Sequence, residues 1–221
     1  MSRYLRLRWV ESIGFLCLVL TIIALSITIT INFRVLYIFD IKHLNILDAV
    51  GLDRATLLKN YDHLMHYLNN PWQQTLAFPD FPMSKSGAFH FQEVKRLFLL
   101  CYSVLAITII PSIFYLYHLV KAKRLWTLIP AWQWAMLLPI VLVILMAAGF
   151  DQFFTAFHEL FFNNDAWLFD PYTDPIINAL PEAYFLHCFL LFFCLLEGCF
   201  LVGLLLGKRE LKQVMKSDDG A

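Results

Sequence analysis

Residues 97–120 read LFLLCYSVLAITIIPSIFYLYHLV, twenty-four residues without a formal charge. A helix needs roughly 20 mainly apolar residues to cross a hydrocarbon core of about 30 Å. This stretch meets that length with a turn to spare. Three others match it. Ser12–Asn32 and Leu125–Phe150 carry no charge, and Ala183–Gly207 carries one, Glu197. The whole chain follows the same pattern: 60% of its 221 residues are hydrophobic and 15% charged, against about 45–50% and 25% in soluble domains. The sequence therefore predicts an all-α integral membrane protein, one membrane domain over residues 1–221. Its four spans fall at about 12–32, 97–120, 127–150 and 183–207.

The first stretch has the positive flank of a signal peptide in Arg3, Arg6 and Arg8. Its apolar run is longer than the 7–15 residues of a signal core, and no Ala-x-Ala site follows. We read it as a retained first helix. With that end inside the cell, the inner segments 1–9, 121–124 and 208–221 hold ten basic residues in 27, and the outer segments 33–96 and 151–182 hold seven in 96. The positive-inside rule then puts both termini in the cytoplasm and a mainly helical cap, made of 33–96 and 151–182, outside. The net charge of zero conceals this asymmetry. With no basic patch, nucleic acid is excluded as a partner. All five cysteines, Cys17, Cys101, Cys188, Cys194 and Cys199, lie in expected spans, so the cap has no disulfide and the chain no Cys-x-x-Cys metal site.

Within the cap, Leu57, Leu58, Tyr61, Leu64, Met65 and Leu68 recur at helical spacing, which predicts an amphipathic helix over about 52–68, ended by Asn69-Asn70-Pro71. FPDFPMSKSG (78–87) is a turn-rich link, and a helix is expected from about Ala88 straight into the second span. DQFFTAFHELFF (151–162) is expected to be helical, NNDAWLFDPYTDP (163–175) a turn region, and Pro181 the first turn of the fourth span. The last residues, SDDGA, are expected to fray.

The residues that carry chemistry sit beside the spans. FFTAFHELFFNNDAWLF (153–169) sets His158 among seven aromatic residues. His158 lies eight residues past Phe150 and His90 seven before Leu97, distances of about 12 and 10 Å along a helix. Both imidazoles therefore fall at one depth, at the outer membrane–water boundary. An aromatic belt and a solvated interfacial histidine are the ordinary readings of such residues. Two histidines at matched depth bring a shared site level with that ordinary reading. Glu93, three residues after His90, can orient that ring or stand as an exposed helix charge; Glu159 points elsewhere. Phe154, Phe157, Phe161, Phe162 and Trp167 read by themselves as interface anchors, and become pocket walls if the histidines form a site.

Other candidates are weaker. His63 and His66, beside Asp62, offer two ligands on one helix face with no third in view, so no metal is expected. Ser84 and Ser86 lack a nucleophile elbow. Cys101 and Cys188 are buried in hydrocarbon, which disfavours a thiolate. Glu197 lies too deep to join the histidines, about 21 Å below the outer boundary, and is read as a helix–helix contact.

FHELFF (157–162), Asn163 with Trp167, DPYTDPII (170–177) and LPE (180–182), together with FHFQEVKRLF (89–98), resemble the motifs of the bacterial lipoprotein intramolecular transacylase family. The order of spans and the region from Asn60-Tyr61 to Tyr67-Leu68 are similar too, so the likeness covers most of the chain. The resemblance implies a multi-pass plasma-membrane enzyme with an extracellular active site. Such an enzyme moves the sn-2 acyl chain of a diacylglyceryl-modified lipoprotein to the α-amino group of its N-terminal cysteine, leaving a lyso-form lipoprotein. By motif match, His90 and His158 are its catalytic pair and Glu93 belongs to the site. Diacylglyceryl-modified lipoproteins and membrane lipids are the implied partners, with no cofactor; the oligomeric state is not specified by the sequence. Two other classes compete. A non-enzymatic transporter subunit or lipoprotein chaperone predicts that the histidines are dispensable. A lipid-ester hydrolase predicts release of free fatty acid.

Overall fold

The computed structural model describes residues 3–218, with side chains for 9–217. Every element among the described residues is helical. In chain order they are α1 (Arg3–Ile31), α2 (Arg34–His43), α3 (Ile46–Val50), α4 (Arg54–Asn69), α5 (Lys85–Lys121), a 3-10 turn (Leu125–Leu128), α6 (Ile129–Ala135), α7 (Leu137–Ala148), α8 (Phe150–Phe161), α9 (Ile176–Ala179) and α10 (Glu182–Asp218). Four stretches are long and apolar enough to cross a membrane: Trp9–Ile31, Lys85–Lys121, Leu125–Ala148 and Glu182–Ser217. The expected fraying of SDDGA falls outside the described residues from 219 on.

Two compact units divide the chain. The first takes the segments up to Ile27, Tyr102–Ile144 and from Leu191 on. Its core gathers Leu18, Leu119, Leu128, Trp132, Leu196 and Phe200. Small residues let its helices approach closely: a Cβ on Gly14 of α1 would meet the Tyr115 ring at 2.6 Å, and one on Gly203 of α10 would meet the Trp132 indole at 2.8 Å. Thr21 Oγ1 donates to Thr108 Oγ1 at 2.9 Å and lies 2.8 Å from Ser112 Oγ. Such bonds between membrane helices contribute roughly 0.6 kcal/mol each. The third span was expected as one helix. It is a 3-10 turn and two helices, because Pro139 in the first turn of α7 has no N–H to give to the preceding turn.

The second unit takes Thr28–Cys101 and Leu145–Leu190. Its core is built on α4, which buries Leu57, Tyr61, Leu64 and Leu68 along one face, the stripe that the sequence spacing marks. The helix begins at Arg54, two residues later than expected. Asp53 caps it there by accepting from the backbone N–H of Ala55 and of Thr56, at 2.8 and 3.1 Å. Tyr37 of α2 stacks on Tyr61 at 3.9 Å and donates its hydroxyl to the Ala179 carbonyl at 3.0 Å. Asn60, fully buried, ties the 78–81 link to α4: its amide donates to Asp80 Oδ2 at 2.8 Å, and Asp80 N–H returns a bond at 3.1 Å. Lys95 donates to the Gln73 carbonyl and covers the Tyr67 ring at 4.3 Å. The helices α2, α3 and α9 have no counterpart in the sequence reading. Pro181 lies just before α10 rather than in its first turn, and its carbonyl accepts from Tyr184 N–H at 2.9 Å.

Candidate active site

α8 is a separate helix because Gly149 is extended, at φ −179° and ψ 101°, and breaks the backbone after α7. Its last turn presents His158. α5 starts at Lys85, three residues earlier than expected, because Ser84 caps it by accepting from Gly87 N–H at 2.9 Å, and Asp174 holds that cap from across the unit by accepting from Ser84 N–H at 2.7 Å. That extra turn carries Gly87, whose missing side chain admits Asp174 and the Phe169 ring. His90 follows one turn later.

The structure brings the two histidines together. Their ring centroids lie 5.9 Å apart, inclined by 35°, and the residues are only 6% and 9% exposed. Phe162 touches both rings, at 4.7 Å from His90 and 5.7 Å from His158. Phe154 lies 4.3 Å from His158 and Trp167 stacks on it at 4.8 Å. Phe169 meets His90 edge-on at 5.4 Å. The sequence reading did not name Phe169 as a wall; its place in the aromatic run was the available signal. Of the other expected walls, Phe157 meets His158 edge-on at 5.6 Å and Phe189 at 5.1 Å, and Phe161, half exposed, packs on Phe157 at 4.8 Å rather than on a histidine.

The two imidazoles differ in their partners. His158 Nδ1–H donates to the Phe154 carbonyl at 2.8 Å. This fixes the tautomer, so the neutral ring keeps its lone pair on Nε2. Burial lowers the His158 pKa below the usual histidine value, while the bond to Phe154 opposes it. His90 Nδ1 is buried with no hydrogen-bond partner among the described residues. Buried polar atoms are nearly always paired, so this orphan is an atom directed to a ligand or a strained one. Two imidazolium ions this close repel, so at most one ring carries a charge cheaply.

Glu93 does not orient His90. Both of its oxygens accept from the Asn164 amide, at 3.0 and 3.1 Å. Glu159 is exposed, as expected. His63 Nδ1–H donates to the Lys59 carbonyl at 2.8 Å and His66 Nδ1 pairs with Gln73 Oε1 at 2.8 Å. Among the described residues no group of three metal-binding side chains forms. Ser84 Oγ accepts from Gly87 N–H at 2.9 Å, which places it in the helix cap. Cys101 Sγ lies 3.7 Å from Thr28 Oγ1. Glu197 is partly buried, with one carboxylate oxygen unpartnered among the described residues.

No match is found among curated protein sequences. Among solved structures, the chain is similar to the membrane-integral lipoprotein intramolecular transacylase Lit from Bacillus cereus, at 30% identity and a TM-score of 0.88, over 95% of this chain and 97% of that one. It is also similar to histidine-to-arginine and histidine-to-alanine mutants of the same protein, at 30% and 29% identity, both with TM-scores of 0.80 over 95% of this chain. The family model for the lipoprotein intramolecular transacylase Lit matches residues 12–185. With a family model over most of its length and a matching membrane fold, the chain belongs to the lipoprotein intramolecular transacylase (Lit) family.

Proposed function

We propose that the chain moves the sn-2 acyl chain of a diacylglyceryl-modified lipoprotein to the α-amino group of its N-terminal cysteine, with His158 as general base and then general acid, and His90 as hydrogen-bond donor to the oxyanion. The observation that carries this reading is the buried histidine pair, 5.9 Å apart, with the His158 Nδ1–H committed to a backbone carbonyl. A base needs a free lone pair near the reacting atom, and the bond to Phe154 reserves Nε2 for that role. The lowered His158 pKa keeps the ring neutral at pH 7. An α-amino group is largely protonated there, with a pKa of about 7.7–8.0, so a neutral base is required to bring it into play.

The amine nitrogen attacks the ester carbonyl, forming the C–N bond, and its proton passes to His158 Nε2. The tetrahedral oxyanion accepts a hydrogen bond from His90. The acyl C–O bond then breaks, and protonated His158 returns its proton to the glyceryl oxygen as it leaves. Ester becomes amide, a downhill exchange with both reactants on one molecule. No acyl-enzyme is needed, in keeping with Ser84 being used as a cap. Bending a flexible lipid into a ring-like geometry is an entropy problem, and positioning contributes about 7–11 kcal/mol in well-oriented cases. Phe154, Phe157, Phe162, Trp167 and Phe169 supply walls for that confinement, with Phe161 further out. The site faces the extracellular side of a single membrane domain with both termini in the cytoplasm. The distribution of ten inner and seven outer basic residues supports that orientation.

The test uses purified protein and a diacylglyceryl-cysteine lipopeptide with a free amine, beside His90→Asn and His158→Asn. The shift leaves mass unchanged, so fragmentation mass spectrometry must locate the acyl chain. The expected result is acyl on nitrogen with the wild type, and a loss of rate of about 10²–10⁴-fold in each variant. Wild-type rates in His158→Asn would remove it as the base. Loss of a fatty acid's mass would point to a hydrolase, and no reaction at all to a binding role.

A further inference from the structure

Glu93 sits three residues after His90 on α5, the spacing at which a carboxylate commonly orients an imidazole. Its oxygens are instead given to Asn164, at 3.0 and 3.1 Å. Asn164 Oδ1 in turn accepts from Ala166 N–H at 2.9 Å, which sets the turn leading to Trp167. Ten residues further on, Asp174 accepts from Ser84 N–H at 2.7 Å. The segment from 164 to 174 is thus fastened to α5 at two points, Glu93 and Ser84, with His90 between them. Trp167 and Phe169 lie between the same two fastenings on the opposing segment. Trp167 stacks on His158 at 4.8 Å and Phe169 meets His90 at 5.4 Å. The fastenings therefore hold the aromatic roof over both rings.

We propose that Glu93 is a positioning residue which acts through Asn164, fixing Trp167 against His158, and does not tune His90. The proposal rests on the acyl transfer proposed above. A carboxylate that orients an imidazole works by its charge. A carboxylate that latches an amide works as a hydrogen-bond acceptor, and a glutamine of the same length keeps one such oxygen. The two roles therefore separate cleanly by substitution.

The experiment measures kcat and KM for acyl transfer in Glu93→Gln, Glu93→Ala, Asn164→Ala and the Glu93→Ala/Asn164→Ala double variant, with hydrogen exchange across 162–169. Displacing a reacting group by about 1 Å costs on the order of 10²-fold in rate. Glu93→Gln is expected within about 3-fold of wild type, and each alanine variant to lose about 10–100-fold, mainly in kcat. The double variant should be no worse than either single one, because both remove the same latch. Exchange across 162–169 should rise in all three alanine variants and not in Glu93→Gln, and the acid limb of the pH–rate profile should not move. Loss in Glu93→Gln equal to that in Glu93→Ala, with Asn164→Ala near wild type or a moved acid limb, would overturn the proposal. If an alanine variant does not fold, Glu93→Gln decides: a fall beyond about 30-fold sinks the latch. If the wild type transfers no acyl chain, the reaction reading fails on its own, and unchanged exchange in Glu93→Ala and Asn164→Ala would then dispose of the latch.

Discussion

At the scale of residues, the two histidines are equally buried and differently equipped. His158 has its Nδ1–H satisfied by the Phe154 carbonyl, whereas His90 Nδ1 has no partner among the described residues. The electrostatics of His158 yield a measurable sign. Burial disfavours the imidazolium, so the folded-state pKa lies below the ordinary value of about 6.5. The neutral ring is the form the fold prefers. Its stabilising contribution is present above about pH 6.5 and is lost as the pH falls towards the folded pKa. A ¹³C-histidine NMR titration, assigned with His158→Asn, should give a midpoint below about 6.5, with the acid limb of the transfer rate following it. A midpoint above that value would remove the argument for a neutral base at pH 7. Depth arithmetic made the pairing of these rings legible in the sequence, because both fall at one distance from a span. The orientation of their neighbours was not legible. Phe161 and Phe169 both stand in the aromatic run, yet Phe161 follows α8 outward, and the turn at Asp170–Asp174 carries Phe169 inward. The partner of Glu93 was hidden for the same reason: helical spacing reports a shared face, not the amide that arrives from elsewhere in the chain.

At the scale of elements, the start of α5 is the joint on which the site depends. The sequence expects this helix from about Ala88; it begins at Lys85 because Ser84 caps it, and Asp174, some ninety residues away, holds Ser84 by its N–H. The Ser84 cap was a local signal; the hold of Asp174 on it, from such a distance, was not. Gly87 is the position at which this joint can be tested. Alanine is intrinsically favoured over glycine in a helix by about 0.8–1.0 kcal/mol, so propensity alone predicts a gain. Sterics predict a loss: the added Cβ would stand 2.9 Å from Phe169 Cε1 and 3.0 Å from Asp174 Cγ. Asp174 cannot simply swing away, since it is buried and its oxygen is held by Ser84 N–H. Overpacking of this kind costs about 1–3 kcal/mol, so sterics should win. Gly87→Ala is expected to lower the thermal midpoint and the transfer rate together, since the same push moves Phe169 off His90. An unchanged or raised midpoint in a thermal-shift measurement would show that the joint is looser than its contacts imply. The break between α6 and α7 shows the converse. Hydropathy reads residues 125–150 as one stretch and is blind to the Pro139 that divides it.

At the scale of the whole molecule, charge-free length made the class legible: four stretches, four candidate spans and no strand among the described residues. The amphipathic face of α4 was legible too, because its period is local. The short helices α2, α3 and α9 were not, since they are held by tertiary contacts such as the Tyr37 hydroxyl on the Ala179 carbonyl. The proposed orientation rests on ten basic residues in 27 inner positions against seven in 96 outer ones. It is open to direct test, because Asp165 and Lys212 are both exposed and lie in segments assigned to opposite sides. Each is replaced by cysteine in turn, and a membrane-impermeant maleimide is added to intact cells and then to permeabilised ones. The unsubstituted protein sets the background, its five native cysteines all lying in helices of the candidate spans. Asp165→Cys should label in intact cells, and Lys212→Cys only after permeabilisation. This pattern places the segment bearing Trp167 on the face where a lipoprotein presents its amino-terminal cysteine, and keeps the basic end of α10 at the inner leaflet. The reverse pattern would put the histidine pair on the cytoplasmic side, and the proposed encounter with an exported lipoprotein would fail even if the purified protein transferred acyl chains.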